Sequence, residues 1–303
     1  MKATLASLHS ILRDPAENLR RVERACVCAA KEGARLVLLP ELMLTGHGAH
    51  PKMTANAESV PDGPLSRAIL ALSEKHALCI CVGIAERDGA RIYNSQMVAD
   101  RGRFLGLQRK IHLSGDEYLH FGAGEDLPLF DIGEARLGIL ICYDNLFPEL
   151  ALAHALQGAD VILAPHAARM GTWPARMTRA QREKIIHDQQ QSWELVHRAR
   201  AYDHNLHVLL CNAAGPSTDG LEGVEANHAG TVMGIDPRGD VFLRSAKHDF
   251  SDEIVTVELP EARRKINHPP SRNRRPATSL DLLQRAAAAA SAATLCKIQP
   301  KLP

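Results

Sequence analysis

The chain has 303 residues, of which 45% are hydrophobic and 23% charged, with 36 basic and 35 acidic side chains. A chain of this length and composition can bury a full core, which excludes disordered and collagen-like architectures. The formal net charge of +1 gives no broad field to attract phosphate groups, so nucleic acid is not an expected partner.

Hydrophobic periodicity alternates between strands and helices along the chain. The predicted strands cover residues 4–9, 35–40, 79–85, 93–99, 103–109, 136–142, 161–165 and 206–212. The predicted helices cover residues 15–33, 64–76, 148–158 and 179–204. An Asp-Pro-Arg-Gly turn at 236–239 predicts a β-hairpin. No low-complexity linker occurs before Pro260, so one α/β domain is favoured over two.

The tail differs in composition. A proline and arginine cluster at 268–276 is followed by an alanine-rich segment. We therefore divide the chain into a domain at 1–276 and a C-terminal tail at 277–303. Alanine favours a helix, but the apolar face is thin. The alternatives are an arm that wraps a neighbouring subunit and a segment that frays.

Cysteine usage and apolar runs indicate the compartment. The seven cysteines are too scattered for a secreted disulfide scaffold, which favours a reducing, cytoplasmic environment. The two Cys-x-Cys pairs, at 26 and 28 and at 79 and 81, fit core positions better than metal ligands. No stretch approaches the roughly 20 apolar residues of a membrane helix, and the N-terminus resembles a first strand more than a signal peptide, so no membrane partner is expected.

Three apolar strands end in a reactive side chain: Glu41, Lys110 and Cys142. Singly, these residues also suit a helix cap, a solvated charge and a core thiol. Together they suit acyl transfer, because a thiol with a pKa of about 8.5 needs a neighbouring base. Glu41 is the candidate base. Lys110 and the backbone N–H of Tyr143 are the candidate donors to the developing oxyanion.

The segments PELMLTG, RKIHL and GILICYDNLFPE, in this order, resemble the nitrilase or carbon–nitrogen hydrolase superfamily. The resemblance covers about residues 3–276. It implies a four-layer α–β–β–α sandwich and places the family's catalytic residues on Glu41, Lys110 and Cys142. A fourth glutamate, seven residues after the lysine in many members, falls on Glu117. Its implied role is to orient Lys110 and the substrate's amino group, although a one-residue shift would exchange it with Asp116.

The resemblance implies hydrolysis of a small amide in two steps, through a thioester on Cys142, with release of ammonia and a carboxylic acid. It implies no metal and no organic cofactor, and the histidines show no H-E-x-x-H spacing. It also implies a homodimer or higher homo-oligomer, formed through the helix after the nucleophile and the C-terminal arm.

The residues after the cysteine indicate the branch. Cys142-Tyr143-Asp144 is closer to amidases and carbamoyl hydrolases than the Cys-Trp-Glu of nitrilases. Hydrolases of N-carbamoyl-D-amino acids carry two arginines where this chain has Asn145 and Leu146, although Arg169 or Arg176 could replace that clamp. The alternatives to an amidase are an N-carbamoyl amino acid or amine hydrolase, a nitrilase, and a catalytically silent binding protein of the same fold.

The pocket rim is expected within residues 166–176. Met170 and Trp173 are candidates for an apolar wall, and His166 for a pocket-wall or structural role. The following helix is expected to present a solvated face with an i, i+4 pair between Arg179 and Glu183.

Overall fold

The computed structural model describes residues 1–48, 51–174, 178–217, 224–246, 250–260 and 274–298. The chain forms two units, residues 1–264 and 265–303. The strands of the first unit are β1 (Lys2–Ser7), β2 (Leu36–Leu38), β3 (Cys79–Asp88), β4 (Arg91–Asp100), β5 (Arg103–Arg109), β6 (Phe130–Asp131), β7 (Arg136–Ile139), β8 (Val161–His166), β9 (Arg169–Pro174), β10 (His207–Asn212), β11 (Gly215–Pro216), β12 (Val224–His228), β13 (Thr231–Ile235), β14 (Val241–Arg244) and β15 (Glu253–Glu258). Its helices are α1 (Pro15–Lys31), α2 (Pro64–His76), α3 (Pro148–Gln157) and α4 (Arg179–His204).

Two six-stranded mixed sheets form the centre of the first unit. The first has the order β15-β1-β2-β3-β4-β5, and the second has the order β14-β13-β10-β8-β7-β6. Strands β1, β2 and β3 run parallel, as do β7, β8 and β10. A three-stranded sheet, β11-β12-β9, is added at the side.

Successive side chains of a strand point to opposite faces of the sheet, so the two faces of each sheet pack into different cores. Leu36 and Leu38 pack with Leu163 and Leu209 in a core between the two sheets. Val37, which points the other way, packs with residues of α1 and α2. On the far side of the second sheet, Ile162 and Val208 pack with Trp193 of α4. These three cores define the predicted four-layer α–β–β–α sandwich.

Local signals set the helix boundaries. The Asp14 carboxylate accepts from the Glu17 N–H at 3.0 Å and caps α1, which begins with Pro15. Helix α2 ends at Ala77, a left-handed residue with φ 52°. Both α2 and α4 have the predicted bounds, and the predicted pair between Arg179 and Glu183 is present at 2.7 Å.

Residues 169–174, which lie in the expected rim and were not assigned to a strand, form β9, which pairs antiparallel with β12, a strand that the periodicity did not indicate. Their place in the pocket rim stays a prediction. Strand β7 also ends at Ile139, three residues before the predicted end at 142.

The second unit contains α5 (Pro276–Ile298), so the alanine-rich segment is helical. Its proposed role as an oligomerisation arm stays a prediction. Within the described ranges, no helix combines the length and the apolar character needed to span a bilayer.

Candidate active site

Glu41, Lys110 and Cys142 lie together at one end of the two sheets. Glu41 follows β2, Lys110 follows β5 and Cys142 follows β7. The Lys110 ammonium donates to Glu41 Oε1 at 2.7 Å, and the charges of both groups shift the pKa of the Cys142 thiol. Both Glu41 and Lys110 are only 1% exposed. The structure thus brings together the three strand-end residues that the sequence singled out.

Glu117 completes the surroundings of the ammonium. Its two carboxylate oxygens each accept from Lys110 Nζ at 2.8 Å. The backbone N–H and the hydroxyl of Ser114 both donate to Glu117 Oε2 at 2.8 Å, which fixes the carboxylate at the start of a short 3₁₀ helix, Gly115–Leu119. Glu117, rather than a side chain one position away, is therefore the carboxylate that holds Lys110.

Asn94 is a site residue that the sequence analysis missed. It lies on β4, and its amide donates to Glu41 Oε1 at 2.7 Å and to Glu117 Oε1 at 3.0 Å. By donating one hydrogen bond to each carboxylate, the Asn94 amide fixes the positions of Glu41 and Glu117 around the Lys110 ammonium. A signal was present, since Asn94, Ser95 and Gln96 form a buried polar run inside a strand.

The two carboxylates differ in their free hydrogen-bonding capacity. A carboxylate offers about four lone-pair positions. Glu117 already accepts five donor contacts, from Lys110, Asn94 and Ser114. Among the described residues, Glu41 accepts three contacts, from Lys110, Asn94 and the Ala167 N–H, and only the last of these falls on Oε2, at 2.8 Å. One position on Glu41 Oε2 therefore remains available for a proton.

Cys142 occupies a strained position. It starts a 3₁₀ helix, Cys142–Leu146, with φ 48°, a left-handed value that non-glycine residues rarely adopt. Burial raises the pKa of its thiol, the carboxylate of Glu41 raises it further, and Lys110 and the Ala167 N–H oppose the shift. Since the upward shift prevails, Cys142 is a neutral thiol at neutral pH.

Lys110 keeps its charge in spite of burial. Burial alone lowers the pKa of the ammonium, but the negative charges of Glu41 and Glu117 outweigh this effect and raise that pKa above its ordinary value. Lys110 is therefore a fixed positive charge beside the thiol.

Asp144 joins the loop that carries Lys110 to the turn that carries Cys142. Its buried carboxylate accepts from the His112 N–H at 2.7 Å and from His112 Nδ1 at 3.1 Å. Asn145 braces the same turn, because its amide donates to the carbonyls of Leu140 and Cys142 at 2.8 and 3.0 Å. These contacts hold the cysteine in its strained conformation.

The residues predicted to bind substrate fall into different places. Tyr143 is 38% exposed, and its ring lies edge-on to Phe147. His166 is buried against Trp193 and His197 of α4, which favours the structural role. The backbone of Met170 and Trp173 lies in β9, but their side chains are outside the described part of the structure, as is the whole of Arg176.

One group of side chains has the composition of a metal site. A ligand atom from each of Glu41, His47 and Glu117 lies within 4.8 Å of the others. The Lys110 ammonium already lies between the two carboxylates, and its positive charge opposes a metal cation at the same place.

Comparison with known proteins identifies the family. The carbon–nitrogen hydrolase family matches residues 2–266. A nitrilase from Pyrococcus abyssi is 34% identical over 168 residues, which cover 54% of this chain and 64% of that protein's length. A chloroplastic omega-amidase from Arabidopsis thaliana is 31% identical over 283 residues, covering 88% of this chain and 70% of that one. The structure of a carbon–nitrogen hydrolase from Helicobacter pylori superposes with a TM-score of 0.78 at 22% identity, over 93% of this chain and 98% of that one.

The chain belongs to the carbon–nitrogen hydrolase family of the nitrilase superfamily, and it is a carbon–nitrogen hydrolase enzyme. The resemblance in the sequence is thereby confirmed, as is the sandwich fold.

Proposed function

We propose that the protein is a cysteine amidase that hydrolyses a small amide to a carboxylic acid and ammonia through a thioester on Cys142. The observation that carries this proposal is the buried Lys110 ammonium, held by Glu41 and Glu117 at 2.7 and 2.8 Å beside the cysteine. This arrangement supplies a base, a nucleophile and a fixed positive charge without a cofactor.

Acylation begins from the neutral thiol. Glu41 Oε2 has the free lone-pair position and accepts a hydrogen bond from the Ala167 N–H. The same N–H interacts with the Cys142 sulfur and favours its thiolate form. Proton transfer to Glu41 therefore accompanies attack of the sulfur on the amide carbon. Glu41 then gives this proton to the departing ammonia, and the C–N bond breaks.

The oxyanion needs donors. The three N–H groups of Lys110 match its three contacts with Glu41 and Glu117. A developing oxyanion must therefore replace one of the two Glu117 contacts, with the Tyr143 N–H as second donor. Water activated by Glu41 then cleaves the thioester. Because all acceptor positions of Glu117 are occupied, we assign it to positioning Lys110 rather than to contact with the substrate's amino group.

Two observations support amide hydrolysis over the alternatives. Asn145, at a position of the arginine clamp in N-carbamoyl-D-amino acid hydrolases, braces the Cys142 turn and is not available to a carboxylate. The omega-amidase relative, 31% identical over 88% of this chain, supports an amide as the substrate.

The test is ammonia release from short primary amides, N-carbamoyl amino acids and nitriles under identical conditions. The proposal predicts the largest kcat/KM with a primary amide. A larger value with a nitrile would replace the amidase with a nitrilase, and the absence of any turnover together with slow alkylation of Cys142 by iodoacetamide would indicate a silent binding protein.

We further propose that the protein forms a homodimer through the outer surface next to the nucleophile turn. Large apolar side chains are exposed there, namely Leu146, Leu156, Leu195 and Tyr202, which are 52%, 51%, 74% and 48% exposed. Light scattering after size exclusion should give a dimer, and Leu195→Glu should shift it towards the monomer. A monomeric wild type would exclude this assembly.

The described cysteines are free thiols, which supports the proposed reducing compartment.

A further inference from the structure

Three basic side chains border the catalytic carboxylates, and the mechanism above does not use them. His47 lies six residues after Glu41, His228 ends β12 and Arg169 begins β9. Arg169 and His228 are directly opposite in the antiparallel pair of β9 and β12. Residues opposite one another in such a pair project from the same face, so these two side chains are neighbours.

His47 connects this pair to the catalytic residues. The rings of His47 and His228 meet edge to face, with their centroids 5.4 Å apart. A ring nitrogen of His47 lies within 4.8 Å of carboxylate oxygens of Glu41 and Glu117. A row of side chains therefore leads from Arg169 through His228 and His47 to the reacting end of the site.

The two histidines have unused hydrogen-bonding capacity. Within the described residues, His47 Nδ1 and both ring nitrogens of His228 lack a hydrogen bond. The Ala168 carbonyl lies near His228 and favours its protonated form, but burial prevails and lowers the pKa of both rings to about 3, with a contribution from Arg169. Each ring is therefore neutral at neutral pH and can offer one N–H. Buried polar groups without partners are rare, and a bound ligand would supply the partner.

Arg169 supplies the charge. It is partly buried, and no carboxylate of the described residues forms an ion pair with it, in contrast to Lys110, which has two. A partly buried cation without a counter-ion attracts an anion, and a guanidinium suits a carboxylate through two parallel hydrogen bonds.

We propose that Arg169, His228 and His47 bind a carboxylate of the substrate, so that the enzyme hydrolyses the amide of a molecule that is itself an anion. This inference rests on the proposed amidase function and names its substrate class. Two kinds of compound share this chemistry, the monoamide of a dicarboxylic acid and an N-carbamoyl amino acid.

The experiment compares charged and neutral substrates of equal length. Ammonia release is measured for malonamate, succinamate and glutaramate, and each is compared with its neutral counterpart, propionamide, butyramide or valeramide, in which a methyl group replaces the carboxylate. N-carbamoylglycine is assayed in parallel to represent the N-carbamoyl amino acids. With the wild type, we expect the best monoamide to exceed its neutral partner in kcat/KM by about tenfold or more, the usual scale of a hydrogen bond to a charged group.

Variants of Arg169 and His228 test whether these residues cause the preference for anionic amides. Arg169→Gln should remove the preference by raising KM for the anionic amide far more than KM for the neutral amide, and Arg169→Lys should retain part of the preference. The control is Arg103→Gln, whose side chain is 71% exposed at the edge of the first sheet. His228→Leu should also reduce the preference without lowering the melting temperature, because within the described residues neither ring nitrogen of His228 has a hydrogen bond of normal geometry to lose.

The outcomes separate the two proposals. If no amide is hydrolysed, the amidase function itself fails. If the neutral amides have the same kcat/KM as the anionic ones, or if the Arg169→Gln variant still prefers the anionic amides, only the carboxylate site is excluded. A preference for N-carbamoylglycine over every monoamide would support the carboxylate site and identify an N-carbamoyl amino acid, rather than a monoamide, as the substrate.

Discussion

Glu117→Gln is the substitution that most directly separates positioning from proton transfer. It keeps the size of the side chain and removes its charge. Glu117 accepts from Lys110 twice and from Ser114 twice, so a glutamine must present its NH₂ group to a donor on one of these sides. At least one charge-assisted hydrogen bond is lost, and the ammonium is left with a single carboxylate, Glu41.

The size of the effect follows from these contacts. A hydrogen bond to a charged group contributes about 1.5–3 kcal/mol. If the ammonium must be in place for the oxyanion, the same loss raises the barrier and lowers kcat by roughly 10- to 150-fold. The assay is steady-state ammonia release from the best primary amide, with the melting temperature measured in parallel.

The matched control is Asp116→Asn, the same chemical change one residue earlier. We expect it to leave kcat within about twofold, because the three N–H groups of the Lys110 ammonium are already taken up by contacts with Glu41 and Glu117. Unchanged kcat in Glu117→Gln would refute the positioning role. A loss in Asp116→Asn alone would move that role to the neighbouring residue.

Two other predictions follow from the buried polar groups. Asn94→Asp, which places a third carboxylate against Glu41 and Glu117, should lower both kcat and the melting temperature more than Asn94→Ala does; equal effects would mean that Asn94 does not contact the two carboxylates as a donor. Three buried histidines should make the fold sensitive to acid, because burial lowers their pKa while the same rings in the unfolded chain take up protons below about pH 6.5. Their pKa values fall to about 3, 3 and 4 for His47, His228 and His197. The unfolded state then binds more protons, so the free energy of unfolding should decrease as the pH falls from about 6.5 to 4, by up to about 1.4 kcal/mol per pH unit for each ring. Urea unfolding at pH 7 and 5 should show a smaller decrease for His197→Gln than for the wild type and for the exposed control His187→Gln, and equal decreases in all three would contradict the assignment.

The strand-end residues were predictable from the sequence because they interrupt apolar runs. Glu41 follows LVLLP and Lys110 follows a strand that ends at Arg109, and parallel strands bring such ends to one edge. The contact between Asn94 and both carboxylates was not predictable, since it depends on where β4 lies beside β3 in the sheet. Periodicity gives the face of a side chain, but the partner across the sheet depends on register.

The errors in the strand assignments have local physical reasons. Strand β7 stops before Cys142 because a residue with φ 48° cannot continue an extended strand. Strand β9 has the sequence RMGTWP, in which glycine and proline weaken the strand signal, and its partner β12 lies about 50 residues further along the chain. The pairing of Arg169 with His228 was for this reason visible only in the structure.

The proposed role of Cys142 as the nucleophile is tested by ammonia release from the Cys142→Ala variant, with Cys28→Ala, which replaces an exposed cysteine on α1, as the matched control. We expect no release above background from Cys142→Ala at an unchanged melting temperature, and wild-type release from Cys28→Ala. Continued turnover by Cys142→Ala would contradict the mechanism.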